Sequence, residues 1–151
     1  EVQGALILGL KNGETTQDAV ARVQKIFNKY VRVPKDVRKA TRIETIVRTN
    51  VTEAFNQGRL TEMRQPEYAG LIEHVQYTAI LDARTTEVCS FLDGQIFDVN
   101  DGALSRLTPP NHFNCRSLLV PITLDVEVSP SDVITKTGVG RATDLAGDGF
   151  A

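Results

Sequence analysis

The sequence predicts an α+β fold, helical in its first half and strand-rich in its second. Two observations carry this expectation. Between residues 15 and 64 apolar side chains recur at spacings of three and four, the period of one helix face; from residue 74 they alternate, the period of a half-buried strand. The two kinds of segment are also segregated along the chain, which is the order of an α+β domain rather than of repeated strand–helix–strand units. The expected arrangement is N-terminal helices packed on a small C-terminal β-sheet, with an extended C-terminal tail.

Each element has a local justification. VQGALILGL (residues 2–10) is a short apolar stretch stopped by Asn12-Gly13, a helix-ending pair. Thr15 or Thr16 can cap the next helix, with Asp18 in its first turn. Val20, Val23, Ile26, Phe27 and Tyr30 then form one face. Pro34 breaks that pattern and suits the start of a third helix, which runs from Lys35 to about Arg64 on Val37, Ala40, Ile43, Val47, Val51, Ala54 and Phe55. Gly58 is a place for it to bend, and Pro66 is its outer limit.

HVQYTAIL (residues 74–81) turns Val75, Tyr77, Ala79 and Leu81 to one side and His74, Gln76 and Thr78 to the other, which is a strand with one buried face. Thr85 or Thr86 caps a short helix through Leu92, stopped at Asp93-Gly94. QIFDV reads as a strand, DGALSRLTPPN as a loop, and SLLVPITLDVEV as one or two strands in which Pro121 forces an edge position or a break. Residues 129–151 are glycine-rich with a single aromatic, Phe150, and read as an extended or flexible tail. The expected organisation is a domain over residues 1–128, helical over about 1–65 and strand-rich over about 73–128, followed by that tail.

The 151 residues are 41% hydrophobic and 24% charged, ordinary for a globular protein, and no apolar run approaches the roughly 18 residues of a membrane span, so no membrane partner is expected. The chain opens on Glu1 rather than Met, which reads as a processed product or a piece of a longer protein. A net charge of -2 argues against a general nucleic-acid coat. The charge is uneven, however. Arg22, Lys25, Lys29, Arg32, Lys35, Arg38, Lys39, Arg42 and Arg48 face only Asp36 and Glu44 across residues 22–48. That stretch is either a solvated helix face or a surface for DNA or an acidic partner, with Lys25, Lys29, Arg32 and Lys39 the candidate contacts.

The chemistry-bearing residues gather in two stretches, LDARTTEVCSFLDG and TPPNHFNCRS, which contain both cysteines of the chain and one of its two histidines. Cys89, His112 and Cys115 have the donor types of a zinc site, although structural zinc normally takes four ligands; Asp82, Asp93 or His74 would have to supply the fourth. A Cys89–Cys115 disulfide and two reduced, buried thiols are the other readings, and all three stay open. A thiol active site would need an exposed pocket beside an activated cysteine. Asp82 and Arg84 suit a salt-bridged corner, or a turn capped by Asp82. No Gly-rich phosphate loop stands between a strand and a helix. Arg48, Asn50 and Asn56 share the long helix with its apolar stripe, so at least one of Arg48 and Asn56 is expected to hydrogen-bond into the β half.

Taken together, RTNVTEAFNQGR, VQYTAILDARTTEVCSFLDGQIF and PPNHFNCRSLLVPI resemble, in order and spacing, the phage head morphogenesis family of minor head proteins similar to protein F of phage Mu. The positions that carry the resemblance are Arg48, Thr49, Asn56, Tyr77, Asp82, Arg84, Thr85, Cys89, Asp93, Gly94, Pro109, Pro110, His112, Cys115 and Arg116, within about residues 40–122. Relatives often carry further cysteines where this chain has Thr86 and Ser117, so the family pattern implies a fuller metal set than this chain provides. Hydrogen bonds from Thr86, Ser117, Asp82 and Arg116 are the expected substitute, stapling the His112–Cys115 loop to the strand–helix unit. The resemblance implies a non-enzymatic structural component of a phage head. It would sit at the portal inside the virion, and in the host cytoplasm during assembly. Its partners would be the portal protein, capsid or scaffolding protein, and packaged DNA. No cofactor is expected, with zinc at Cys89, His112 and Cys115 the alternative. The rival functions are a DNA-binding module, and a non-catalytic part of a larger phage-borne toxin or enzyme.

Overall fold

The computed structural model describes residues 2–30 and 37–146. They fall into two compact units, divided between Val51 and Thr52.

The first unit holds α1 (Val2–Lys11), α2 (Thr16–Tyr30) and the beginning of α3 (Val37–Met63). Helix α1 ends where Gly13 takes a left-handed φ of 63°, as the Asn12-Gly13 pair requires. Thr15 caps α2 in a reciprocal pair: Asp18 N–H donates to Thr15 Oγ1 at 3.2 Å, and Thr15 N–H donates to the Asp18 carboxylate at 3.2 Å. Ala19 and Val23 on α2 and Ile43 and Val47 on α3 are buried together, each pair one turn apart. Arg22 ties α1 to α2 by donating to the Ala5 carbonyl at 3.1 Å while pairing with Glu14. Arg32 and Pro34 lie outside the described residues, as do the side chains of Phe27, Tyr30 and Lys39.

The second unit begins in the last turns of α3, which run through Gly58 to Met63 before a 3₁₀ turn at Pro66–Tyr68. Strand β1 (Ile72–Thr78) is the centre of a three-stranded antiparallel sheet of order β2-β1-β3, with β2 at Ile96–Asp98 and β3 at Leu118–Thr123. Val75 and Tyr77 alternate into the core and pair with Pro121 and Leu119 across the sheet. Pro121 is thus on an edge strand, where its missing N–H breaks no ladder bond on the free side. Leu60 and Met63 of α3 pack on Val75, Tyr77, Phe97 and Leu119, with Val88, Cys89 and Leu92 of α4 (Glu87–Leu92) closing the core.

Three segments depart from the sequence reading. Strand β1 starts earlier and stops at Thr78, leaving Ile80 and Leu81 exposed. The expected loop at residues 101–111 contains a one-turn helix, α5 (Leu104–Leu107), started by Asp101 Oδ1 accepting the Ala103 N–H at 2.8 Å. The expected extended tail is helical over α6 (Lys136–Ala146), which packs on α4 and α5. Its glycines suggested mobility, but Val139, Ala142 and Leu145 recur every three residues and form a narrow apolar face, with Ala142 fully buried. Arg141 of α6 stacks over the Phe91 ring at 4.7 Å from its centroid. Ahead of α6, Val133 bridges Ile96 and Ile134 N–H donates to the Ile96 carbonyl at 2.8 Å, covering the outer edge of β2. Among the described residues no helix is long and apolar enough to cross a membrane.

Candidate functional site

The site is the junction where the β1–α4 turn meets the loop that leads into β3. The turn is built by its own side chains. Thr85 Oγ1 donates to the Ile80 carbonyl at 2.6 Å and accepts the Asp82 N–H at 2.8 Å, while Asp82 Oδ1 accepts the Arg84 N–H at 2.8 Å. Asp93, at the far end of α4, accepts the Ala79 N–H at 2.7 Å. Gly94 follows with φ 80°, a conformation that suits glycine, and its N–H returns to the Tyr77 carbonyl at 2.8 Å.

The second half of the junction comes from residues 108–117. Pro109 and Pro110 are buried and joined by a cis peptide bond. Asn111, also buried, donates to the Tyr77 hydroxyl at 2.9 Å and to the Leu107 carbonyl at 3.2 Å. A tight turn follows, with Asn114 at φ 58° and Cys115 N–H bonded to the His112 carbonyl at 3.2 Å. Arg116 then grips Asp82 with both terminal nitrogens, at 2.8 and 2.6 Å, the fork geometry that suits a carboxylate. Arg84 is 3.6 Å from the same carboxylate and mostly exposed.

Inside this frame Cys89 and Cys115 are buried, unbridged and 3.7 Å apart between sulfurs. The Tyr77 hydroxyl is 3.3 Å from the Cys89 sulfur, and a ring nitrogen of His112 lies within 4.8 Å of both sulfurs. The two thiols titrate unequally. Accepting the hydrogen bond of the Cys89 thiol lowers Cys115 below the usual thiol range, helped by nearby backbone N–H groups. Cys89 is held well above the usual thiol range, first by that same bond and then by burial. Burial likewise raises Tyr77, with the neighbouring sulfurs adding to it.

Helix α3 is fastened to the same junction from the other side. Asn56, fully buried, donates to the Ser117 carbonyl at 3.3 Å and accepts the Leu119 N–H at 3.1 Å, and Thr52 donates to the Cys115 carbonyl at 3.3 Å. Asn56 therefore does reach into the β half. Arg48 and Thr49 belong to residues 1–51, where Arg48 pairs with Glu44 on its own helix at 2.8 Å. Of the four proposed basic contacts, Lys25 and Lys29 stand exposed one turn apart on α2. Sequence reasoning missed Thr52 and Asn111. Asn111 left a signal all the same, an amide directly after two prolines in a loop that has to be buried. Thr86 begins α4 without a side-chain capping bond, and its hydroxyl is buried without a partner.

What this arrangement can do chemically is bounded by burial. Cys89 and Cys115 are 1% and 2% exposed, so neither sulfur can meet a substrate in this conformation. Arg84 and His112 do border a common hollow, but it is only water-sized. A half-open hollow of about 320 Å³ lies elsewhere, between Met63, Glu73, His74 and Asp98, and shares no residue with the junction. The Asp82–Arg116 pair gives a pH prediction. Arg116 and the Arg84 N–H hold the Asp82 carboxyl well below the usual carboxylate range. A lowered folded-state value stabilises above the unfolded value, which is roughly 4, and that contribution is lost as pH falls toward the folded value. The stability difference between the protein and Asp82→Asn should therefore be constant from neutral pH down to about 5 and shrink below about 4. Melting curves across that range check it, and a gap that persists unchanged into strong acid would count against the pair.

The family model for Phage Mu protein F like protein matches residues 1–120, which include the whole junction. A curated relative, "Putative capsid assembly protein F" of Escherichia phage Mu, is 30% identical over 125 residues. That match takes in 77% of this chain and 28% of the relative, so the chain spans less than a third of the relative's length. No solved structure matches the chain. With the family model covering most of its length, the chain belongs to the Phage Mu protein F like family.

Proposed function

We propose that this chain is a structural, non-enzymatic minor head protein of a tailed phage, bound at the portal and assisting head assembly or DNA delivery. The observation that carries the reading is the burial of residues on which the family resemblance rests. Cys89, Cys115, Asn56 and Tyr77 are nearly inaccessible and bonded to one another or to backbone, as residues that hold a fold are. A catalytic set would instead converge on an open pocket. The relative's printed name, a capsid assembly protein, supports the same assignment. The domain would then present a rigid junction and a basic helical surface to larger partners.

Native mass spectrometry of the protein mixed with the portal protein of its own phage tests this directly. A portal-bound species is expected. An intact portal ring that takes up none of the protein would refute portal association and move weight to a DNA-binding role. Alanine at Lys25, Lys29, Arg32 and Lys39 together is expected to weaken partner binding, with a shallower dependence on salt than the parent. Identical isotherms at low and high salt would remove the basic helix from the interface.

A further inference from the structure

We infer that Cys89, His112 and Cys115 form a binding site for one zinc ion, with a solvent molecule in the fourth position. The inference does not rest on the head-protein reading. Its basis is the placement of the donors. The two sulfurs are 3.7 Å apart, close to the roughly 3.8 Å that two thiolates span at about 2.3 Å from a tetrahedral zinc. A disulfide would need that gap closed to about 2.05 Å. The third donor, a His112 ring nitrogen, lies within 4.8 Å of both sulfurs on a half-buried loop residue, so a small ring movement completes the triangle.

The surroundings are those of ligated thiolates rather than of two idle thiols. Asn111 donates to the Tyr77 hydroxyl, which leaves the phenol proton free to point at the Cys89 sulfur 3.3 Å away. The Cys89 sulfur is thus supplied with an outer hydrogen-bond donor, of the kind that orients and stabilises a metal thiolate. His112 Nδ1 is 2.9 Å from the Phe113 carbonyl. A proton there makes Nε2 the lone pair, the tautomer usual for a ligating histidine with a carbonyl partner.

A fourth position also exists. The water-sized hollow at the junction is bordered by Cys89, His112 and Ser117, giving a solvent ligand room. One turn before Cys89, the Thr86 hydroxyl is buried without a partner, a second mark of an unfilled polar position. Charge balances as well. Ligation releases the thiol protons, two thiolates offset the divalent ion, and Arg116 beside them is already paired with Asp82. A soft two-sulfur, one-nitrogen set favours zinc over magnesium or calcium.

The test is metal titration of the full chain, kept reduced and first stripped of metal. One equivalent of zinc is expected in the native mass spectrum, and cobalt substituted for it should give thiolate charge-transfer absorption and tetrahedral d–d bands. His112→Ala, a loop residue, should weaken zinc binding at least tenfold. Tyr77→Phe keeps the ring and removes only the outer donor, so zinc should weaken by about ten- to a hundredfold with the circular dichroism spectrum unchanged. Failure of the reduced, folded protein to take up zinc overturns the inference. So does zinc uptake of equal affinity in both variants, which would place the ion elsewhere.

Discussion

Replacing Asn56 by alanine is expected to destabilise the second unit by about 2–4 kcal/mol, the cost of leaving one buried donor and one buried acceptor without partners. The reason lies in the sheet. Tyr77 directs both its backbone groups to the β2 side, its N–H to the Gln95 carbonyl and its carbonyl to the Gly94 N–H. Leu119, opposite Tyr77 on β3, therefore turns its N–H away from the sheet, and the Ser117 carbonyl lies on the same outward side. An additional strand would normally satisfy such an edge. Here a single side-chain amide does so, offering donor and acceptor in the spacing of a peptide unit. Alanine removes both at once, and among the described residues no strand lies on that side of β3 to replace them. Asn56→Asp keeps the acceptor but loses the donor and buries a charge, so it should be no milder. Chemical denaturation of the two variants is the check. A loss under about 0.5 kcal/mol for Asn56→Ala would show that water replaces the amide without cost.

Much of this was legible in the chain because the physics involved is local. The period change near residue 70, the Thr15–Asp18 cap, Asn12-Gly13, Asp93-Gly94 and Pro121 each specify their own backbone, and the structure follows them. Helix α6 was hidden because composition and periodicity disagreed there. The glycines pointed to mobility, while Val139, Ala142 and Leu145 needed a receiving surface on α4 and α5 that no local rule supplies. The junction was half legible for the same reason. Asp82 with Thr85 is a turn that sequence chemistry anticipates. The grip of Arg116 on Asp82 crosses 34 positions, and the contact of Asn111 with Tyr77 crosses another 34; such pairings exist only once the sheet has formed. Asn56 shows the intermediate case, in which a polar residue within an apolar stripe announces a buried bond without naming its partner.

Tyr77→Ala should be the most damaging single change in the junction, costing about 3–5 kcal/mol, as truncation of a large buried aromatic does. The ring is fully buried at the centre of the sheet, so its loss opens a cavity beneath α4. The hydroxyl matters separately. It joins Asn111 on the prolyl loop to Cys89 on α4, two segments that no backbone hydrogen bond of the junction connects directly. Tyr77→Phe isolates that contribution. It should cost only about 1 kcal/mol, the ordinary net worth of a hydrogen bond, since Asn111 keeps its bond to the Leu107 carbonyl. The two variants should also differ in thiol reactivity. In Tyr77→Ala, Cys89 and Cys115 should become open to a bulky thiol reagent without global unfolding, because the cavity lies against Cys89. In Tyr77→Phe both should stay protected, as their present burial requires. Equal stability of the two variants would mean that the ring is not the keystone of this core. Equal protection of the thiols would mean that the loop carrying His112 and Cys115 holds its place without the tyrosine, by the Arg116–Asp82 pair and the Asn56 bridge alone.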